Sequence, residues 1–223
     1  MLAYPIKISS EYISFIKEIY GLNGFIAGSF AASCSGPNIG FVPNDIDIWP
    51  RTESSSQYIL NYLKTLNYVY YKGSNDLSHY MHLNARVHSF VPSFPFPFLQ
   101  KIQFIEFPNE PIEIINNTFD FSICKVYIEN LNTLILSDYF FQDLVDKRLR
   151  YNCLIKRPGN NLIYRLNKYI ERKYLPNFED CINMISSIND SKRDFINTLS
   201  YCLAKYDKDL SFKLKCLYKM ECI

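Results

Sequence analysis

The first half of the chain switches repeatedly between helical and strand periods. Residues 9–20 carry apolar side chains at Tyr12, Ile13, Phe15, Ile16, Ile19 and Tyr20. That spacing predicts an amphipathic helix, capped by Ser9 or Ser10, with Glu11 in its first turn. Gly21 and Gly24 bracket its end. Residues 25–27 read as a short apolar strand, and 29–34 as the start of a second helix after a Gly28-Ser29 turn. Residues 35–38 read as loop. Residues 46–49 alternate as a strand does, and Pro50 stops them. A helix is predicted over 54–66, with Tyr58, Ile59, Tyr62, Leu63 and Leu66 on one face. Strands follow at 68–71, 85–91 and 101–107, with a turn at 72–76 and a proline-interrupted loop at 92–97. A short helix at 110–116 and a long strand at 119–128 close this half.

From about residue 130 the apolar period is helical throughout. Helices are predicted over 132–151, 161–174, 177–188 and 191–206, with a last one from Asp209, and no strand pattern is visible. The fold class expected is therefore α+β. A small mixed sheet flanked by helices occupies 1–130, and a helical C-terminal domain occupies 131–223.

Composition narrows the function classes. The 223 residues are 48% hydrophobic and 21% charged, which gives a cored globule rather than a disordered chain. A net charge of +2 supplies no global basic field, so any nucleic-acid contact must come from a local patch. The 18 Tyr and 17 Phe fit core packing, or a surface on which bases stack. The cysteines at 34, 124, 153, 181, 202, 216 and 222 are odd in number and form no C-x-x-C, as for thiols in a reducing compartment. No leader pattern or long apolar run is visible. A cytoplasmic protein with no membrane partner is expected.

The candidate chemistry sits in two short stretches. Gly28-Ser29 lies between a strand and a helix, where backbone N–H groups and the positive helix end suit a phosphate. In Asn44-Asp-Ile-Asp-Ile-Trp49, alternation puts Asp45 and Asp47 on one strand face and Ile46 and Ile48 on the other. Asp is a poor strand former, and like charges on one face repel. A divalent cation offsets that cost, and Mg²⁺ takes a few carboxylates and then substrate phosphates.

These residues resemble the signature of the DNA polymerase beta-like nucleotidyltransferase superfamily. That signature is a hydrophobic residue, Gly, then Gly or Ser, followed by an Asp-x-Asp or Asp-x-Glu between hydrophobic residues. The resemblance covers 9–130. It implies a small mixed sheet, two metal-binding acids, and a third acid on a neighbouring strand. Two places offer the third. On the 101–107 strand the superfamily often has Asp where this chain has Gln103, and a neutral amide neither bridges metals nor acts as a base. Asp120, in Phe119-Asp-Phe121, opens the last strand, with Ser122 and Cys124 on its face. The Lys-Ile-Gln-Phe-Ile strand, the Phe-Asp-Phe and a Cys before a basic residue are similar to nucleotidyltransferase-like proteins, many of them viral. That similarity favours Asp120, with Glu106 and Glu113 behind it.

What the resemblance implies is transfer of a nucleoside monophosphate from an NTP to an acceptor hydroxyl with two Mg²⁺ or Mn²⁺ ions. Asp45, Asp47 and Asp120 are then the metal-binding and catalytic acids, with Asp120 helping to activate the hydroxyl. Gly28 and Ser29 hold the β- and γ-phosphates. The superfamily also uses basic residues of a helical region on the triphosphate, for which Arg148, Arg165 and Lys168 are the candidates. A solvated helix face is the other reading of those three. The acceptor is an RNA end, a small molecule or a protein side chain, and a viral member would work in the host cytoplasm.

Two rival classes stand beside the enzyme. Gln103 suggests a binding module that kept the fold without the activity. The helical tail suggests an interaction protein. His79, His82 and His88 lack the further ligands of a zinc site. The Pro-Phe run at 92–98 is either a partner-binding polyproline stretch or a loop packing its Phe residues on the sheet.

Overall fold

Ile46 and Ile48 are fully buried, and the strand they anchor, β3 (Asp45–Pro50), lies near the middle of an eight-stranded sheet. The computed structural model describes residues 1–7, 10–36, 43–66, 68–72, 85–93, 100–154, 156 and 158–220. The turn expected at 72–76 falls almost wholly outside the described residues. So do His79, His82 and most of the proline-rich loop.

The strand order is β1 (Leu2–Pro5), β8 (Thr133–Leu136), β7 (Val126–Asn130), β2 (Gly24–Ala27), β3, β6 (Lys101–Glu106), β5 (Arg86–Pro92) and β4 (Tyr68–Lys72). β3 and β6 run parallel, while β2 meets both β3 and β7 antiparallel. All four residues of β2 are buried, as a strand in the middle of a covered sheet requires. Helix α1 (Ser10–Gly21) precedes β2, and α2 (Gly28–Ser33) follows it directly. Helix α3 (Glu53–Thr65) begins with a reciprocal cap between Thr52 and Ser55 and buries Ile59, Leu60 and Leu63. α4 (Pro111–Thr118) carries Pro at its first position, where no N–H is needed.

The sheet extends past the boundary expected at 130. β8 forms a hairpin with β7 and pairs with β1, which the hydrophobic pattern did not announce. In β8 only Leu134 and Leu136 are fully buried. Leu-Ile-Leu is an apolar run too short for periodicity to tell strand from helix. The helix expected over 132–151 reduces to α5 (Phe140–Val145).

The strand expected over 119–128 also divides. Ser122–Cys124 is a 3₁₀ turn, and only Val126–Asn130 joins the sheet. The segment before the turn pairs with the chain entering the tail: Asn152 N–H donates to the Asp120 carbonyl at 2.9 Å, and Ser122 N–H to that of Arg150 at 3.1 Å. Asp120 is therefore not on the sheet, and the face it was expected to share with Ser122 and Cys124 does not form.

The tail is helical, as expected. α6 (Gly159–Ile170) packs on α8 (Lys192–Leu203), which packs on α7 (Phe178–Ser187) and α9 (Lys208–Met220). Buried ion pairs brace the segment joining it to the sheet. Arg150 grips Asp143 through Nε at 3.0 Å. Asp180 takes Arg148 at 3.1 Å and the Tyr151 N–H at 3.2 Å. Among the described residues no helix is long and apolar enough to cross a membrane.

Candidate active site

The turn that ends β2 is set by one backbone angle. Gly28 has φ +76°, a left-handed conformation that costs Gly nothing and other residues a good deal. It also has no room for a side chain. A Cβ there would lie 2.9 Å from Asp47 Oδ2 and 3.1 Å from the Phe119 ring. The close approach of Gly28 to Asp47 brings the two halves of the sequence motif together. Ala27 offers no side-chain cap to the first amides of α2, and Gly28 and Ser29 line the cleft.

Sheet register places the acids. Asp47 is opposite Ala27 on one side and Gln103 on the other, and Asp45 is opposite Lys101. In-register neighbours share a face. Asp45, Asp47, Lys101 and Gln103 therefore project from one patch of sheet into one cleft. Gln103 links two of them. With its amide turned to satisfy both partners, Nε2 donates to Asp47 Oδ1 at 3.2 Å and Oε1 accepts from Lys101 Nζ at 3.1 Å. Burial pushes the Asp47 carboxyl well above the ordinary range, and the neighbouring Asp45 charge pushes it further. Lys168, Arg165 and Lys101 pull it partly back.

The opposite wall is α6 and its C-terminal end. Arg165 and Lys168, one turn apart, face the acids across a cleft of about 730 Å³. Arg172, Asn167 and Glu171 line the same wall, with Tyr164 at 63% exposure. Cys124 and Tyr169 meet at the back, Sγ to Oη 2.7 Å, and burial raises the pKa of both. A thiol so shifted is held neutral and is a poor nucleophile.

Of the expected site residues, Gly28, Ser29, Asp45, Asp47, Arg165 and Lys168 come together in this cleft. Asp120 lies behind its wall. Its side chain is fully buried and ion-paired with Arg165. Arg148 is elsewhere, engaged with buried Asp180. His88 belongs to another network, with Tyr70 Oη at 2.7 Å and Glu106 at 3.2 Å. Lys101 joins the site as well, since strand alternation puts it on Gln103's face.

The donor set suits a hard cation. Two carboxylates repel one another beside backbone donors able to take phosphate, the pattern that Mg²⁺ completes with substrate oxygens. A third wall carboxylate for a second ion is another matter. Among the described residues no three His, Cys, Asp or Glu side chains gather as a metal site.

A model of the family described as "Gad2: Gabija anti-defense 2 family protein" matches residues 7–147. No curated protein matches the chain. Solved structures do. A CCA-adding enzyme with CTP superposes with a TM-score of 0.56 at 13% identity, over 99% of this chain and 56% of that one. The Thermotoga maritima CCA-adding enzyme complexed with tRNA gives 0.53 at 11%, over 98% and 55%. The Bacillus stearothermophilus CCA-adding enzyme in complex with CTP gives 0.54 at 8%, over 88% and 49%. The chain spans about half the length of these proteins. Identities this low show the fold, which is nucleotidyltransferase-like.

Proposed function

The chain belongs to the Gabija anti-defense 2 family, and on that premise we propose that its cleft is a nucleotidyltransferase active site. It moves a nucleoside monophosphate from an NTP to an acceptor hydroxyl. The observation that carries this reading is the closeness of Asp47 to the Gly28 turn, where an added Cβ would lie 2.9 Å from Oδ2, so that the Gly28-Ser29 turn stands beside the Asp45–Asp47 pair. CTP and ATP in the fold's solved relatives support an NTP here.

Asp45 and Asp47 hold the divalent metal, Mg²⁺ or Mn²⁺, which neutralises phosphate charge when bound. Ser29 and the first amides of α2 take the β- and γ-phosphates. Arg165 and Lys168 close on the triphosphate from the other wall. The acceptor oxygen bonds to the α-phosphorus, and the bond from that phosphorus to the bridging oxygen breaks. Pyrophosphate leaves with the electron pair, and the hydroxyl proton goes to solvent. Positioning and charge stabilisation account for the rate. The family's description supports a role in countering a defence, and the acceptor is an RNA end, a small molecule or a protein side chain.

A second reading has its own support. Gln103 stands opposite Asp47, where the superfamily resemblance implies an acid, and Asp120 is committed to Arg165. Both fit a module that binds NTP without transferring it. Mg²⁺-dependent pyrophosphate release, measured for each NTP against RNA, metabolite and protein acceptor pools, separates the two. Release that Asp45→Asn abolishes supports transfer. NTP binding without release from any pool supports the second reading, and absence of Mg²⁺-dependent NTP binding sinks both.

A further inference from the structure

We propose that this cleft takes one divalent cation with its NTP rather than two, and that the Lys101 ammonium supplies the second positive charge. The inference rests on the nucleotidyltransferase reading and departs from the two-ion arrangement that reading would import.

The register of β3 and β6 pairs each acid with a specific neighbour: Asp45 with Lys101, Asp47 with Gln103. The strand beside the acid pair thus presents a cation and a neutral amide where further carboxylates would extend a metal site. Gln103 fixes their arrangement. Its amide nitrogen donates to Asp47 Oδ1 at 3.2 Å, and its oxygen accepts from Lys101 Nζ at 3.1 Å. An amide nitrogen has no lone pair to give a metal. Its only ligand-competent atom already receives the ammonium. A second divalent ion beside Asp47 would also face the fixed charge of Lys101, and like charges at short range repel. Asp120 is fully buried and bound to Arg165, and Glu171, on the opposite wall of the cleft, forms no three-membered metal-binding set with the acids among the described residues.

One ion, by contrast, is well served. Asp45 and Asp47 with phosphate oxygens make a set that Mg²⁺ readily completes. Lys101 then acts as Lys commonly does on phosphate, as a compact point charge. Its tie through Gln103 holds it beside the acids before substrate arrives.

The test counts ions. The full chain is saturated with a non-hydrolysable NTP analogue and titrated with Mn²⁺, and bound Mn²⁺ per chain is read by electron paramagnetic resonance. One ion is expected. Two ions overturn this inference and leave the nucleotidyltransferase reading standing. No bound ion and no retained analogue overturn that reading, and this inference with it. The double variant Lys101→Ala, Gln103→Asp removes the charge and places a carboxylate opposite Asp47, so its count should rise to two. A count that stays at one would show that Lys101 and Gln103 do not set the number, and the inference would fall.

Discussion

The fully buried carboxylate of Asp120 is ion-paired with Arg165, a residue that lines the cleft. One residue precedes the 3₁₀ turn beside the sheet, and the other sits within α6. The pair therefore ties the segment before that turn to α6 beside the cleft. A buried carboxylate is tolerated only when a cation and hydrogen bonds meet it. In return, Asp120 holds Arg165 in place, and a guanidinium already held loses less freedom on taking a phosphate.

Asp120→Asn should therefore destabilise the protein by about 3 kcal/mol, the lower end for breaking a buried pair. NTP binding should weaken as well, because Arg165 loses its support. Urea unfolding and an NTP titration read the two effects. If stability and NTP binding were unchanged and only turnover disappeared, Asp120 would act on the chemistry and not on the position of Arg165.

Lys168 and Arg148 separate binding from bracing. Lys168 lines the cleft, so Lys168→Ala should remove a charge-assisted hydrogen bond to phosphate and weaken NTP binding about tenfold, with little change in melting temperature. Arg148→Ala should do the opposite. It leaves Asp180, at 2% exposure, without its 3.1 Å partner, and should lower the melting temperature by several degrees, about 2–4 °C per kcal/mol at this size. Its NTP affinity should not move. A shared loss of affinity would place Arg148 in the binding machinery after all.

Gly28→Ala should fail twice over. The backbone angle of +76° costs about 1–3 kcal/mol for a residue with a Cβ, and that Cβ would press on Asp47 Oδ2 at 2.9 Å. Both stability and metal-dependent NTP binding should drop. Gly21→Ala is the control, since nothing lies within 4 Å of a Cβ there. Equal effects from the two would mean that the Gly28 turn is not specifically required.

The sequence made the centre of this site legible because its causes are local. Alternation puts Asp45 and Asp47 on one face, and a Gly-Ser turn after an apolar strand needs no distant partner to be recognised. The Gly28–Asp47 approach then follows from the adjacency of β2 and β3. The surroundings depend on long-range pairing, which no window of sequence contains. Asp120 read as a strand residue because Phe-Asp-Phe alternates, yet its segment pairs with residues 150–152. Arg148, Arg165 and Lys168 looked equivalent as helix-region cations. Only the packing of α6 and the burial of Asp180 assign two of them to the cleft and the third to a brace. β8 was hidden because three apolar residues carry no period.

The acid pair itself predicts a pH dependence. Burial and the Asp45 charge hold the Asp47 carboxyl above its ordinary range. At low pH both folded and unfolded chains keep that proton, and Asp47 has no effect on stability. As pH rises past the unfolded value, the unfolded chain releases the proton while the folded chain retains it. Stability then falls with pH until the raised folded value is passed, and is level above it. Unfolding of the metal-depleted protein should show this decline above about pH 4, near the ordinary Asp value. Asp47→Asn should flatten it, and the variant should equal or exceed the wild type in stability at neutral pH. Mg²⁺ with NTP should oppose the decline by binding the ionised pair, so its stabilising effect should grow across the same window. Parallel pH profiles for wild type and Asp47→Asn would mean that the carboxylate is not under electrostatic pressure in the folded protein. The main physical reason for placing a cation between Asp45 and Asp47 would then be gone.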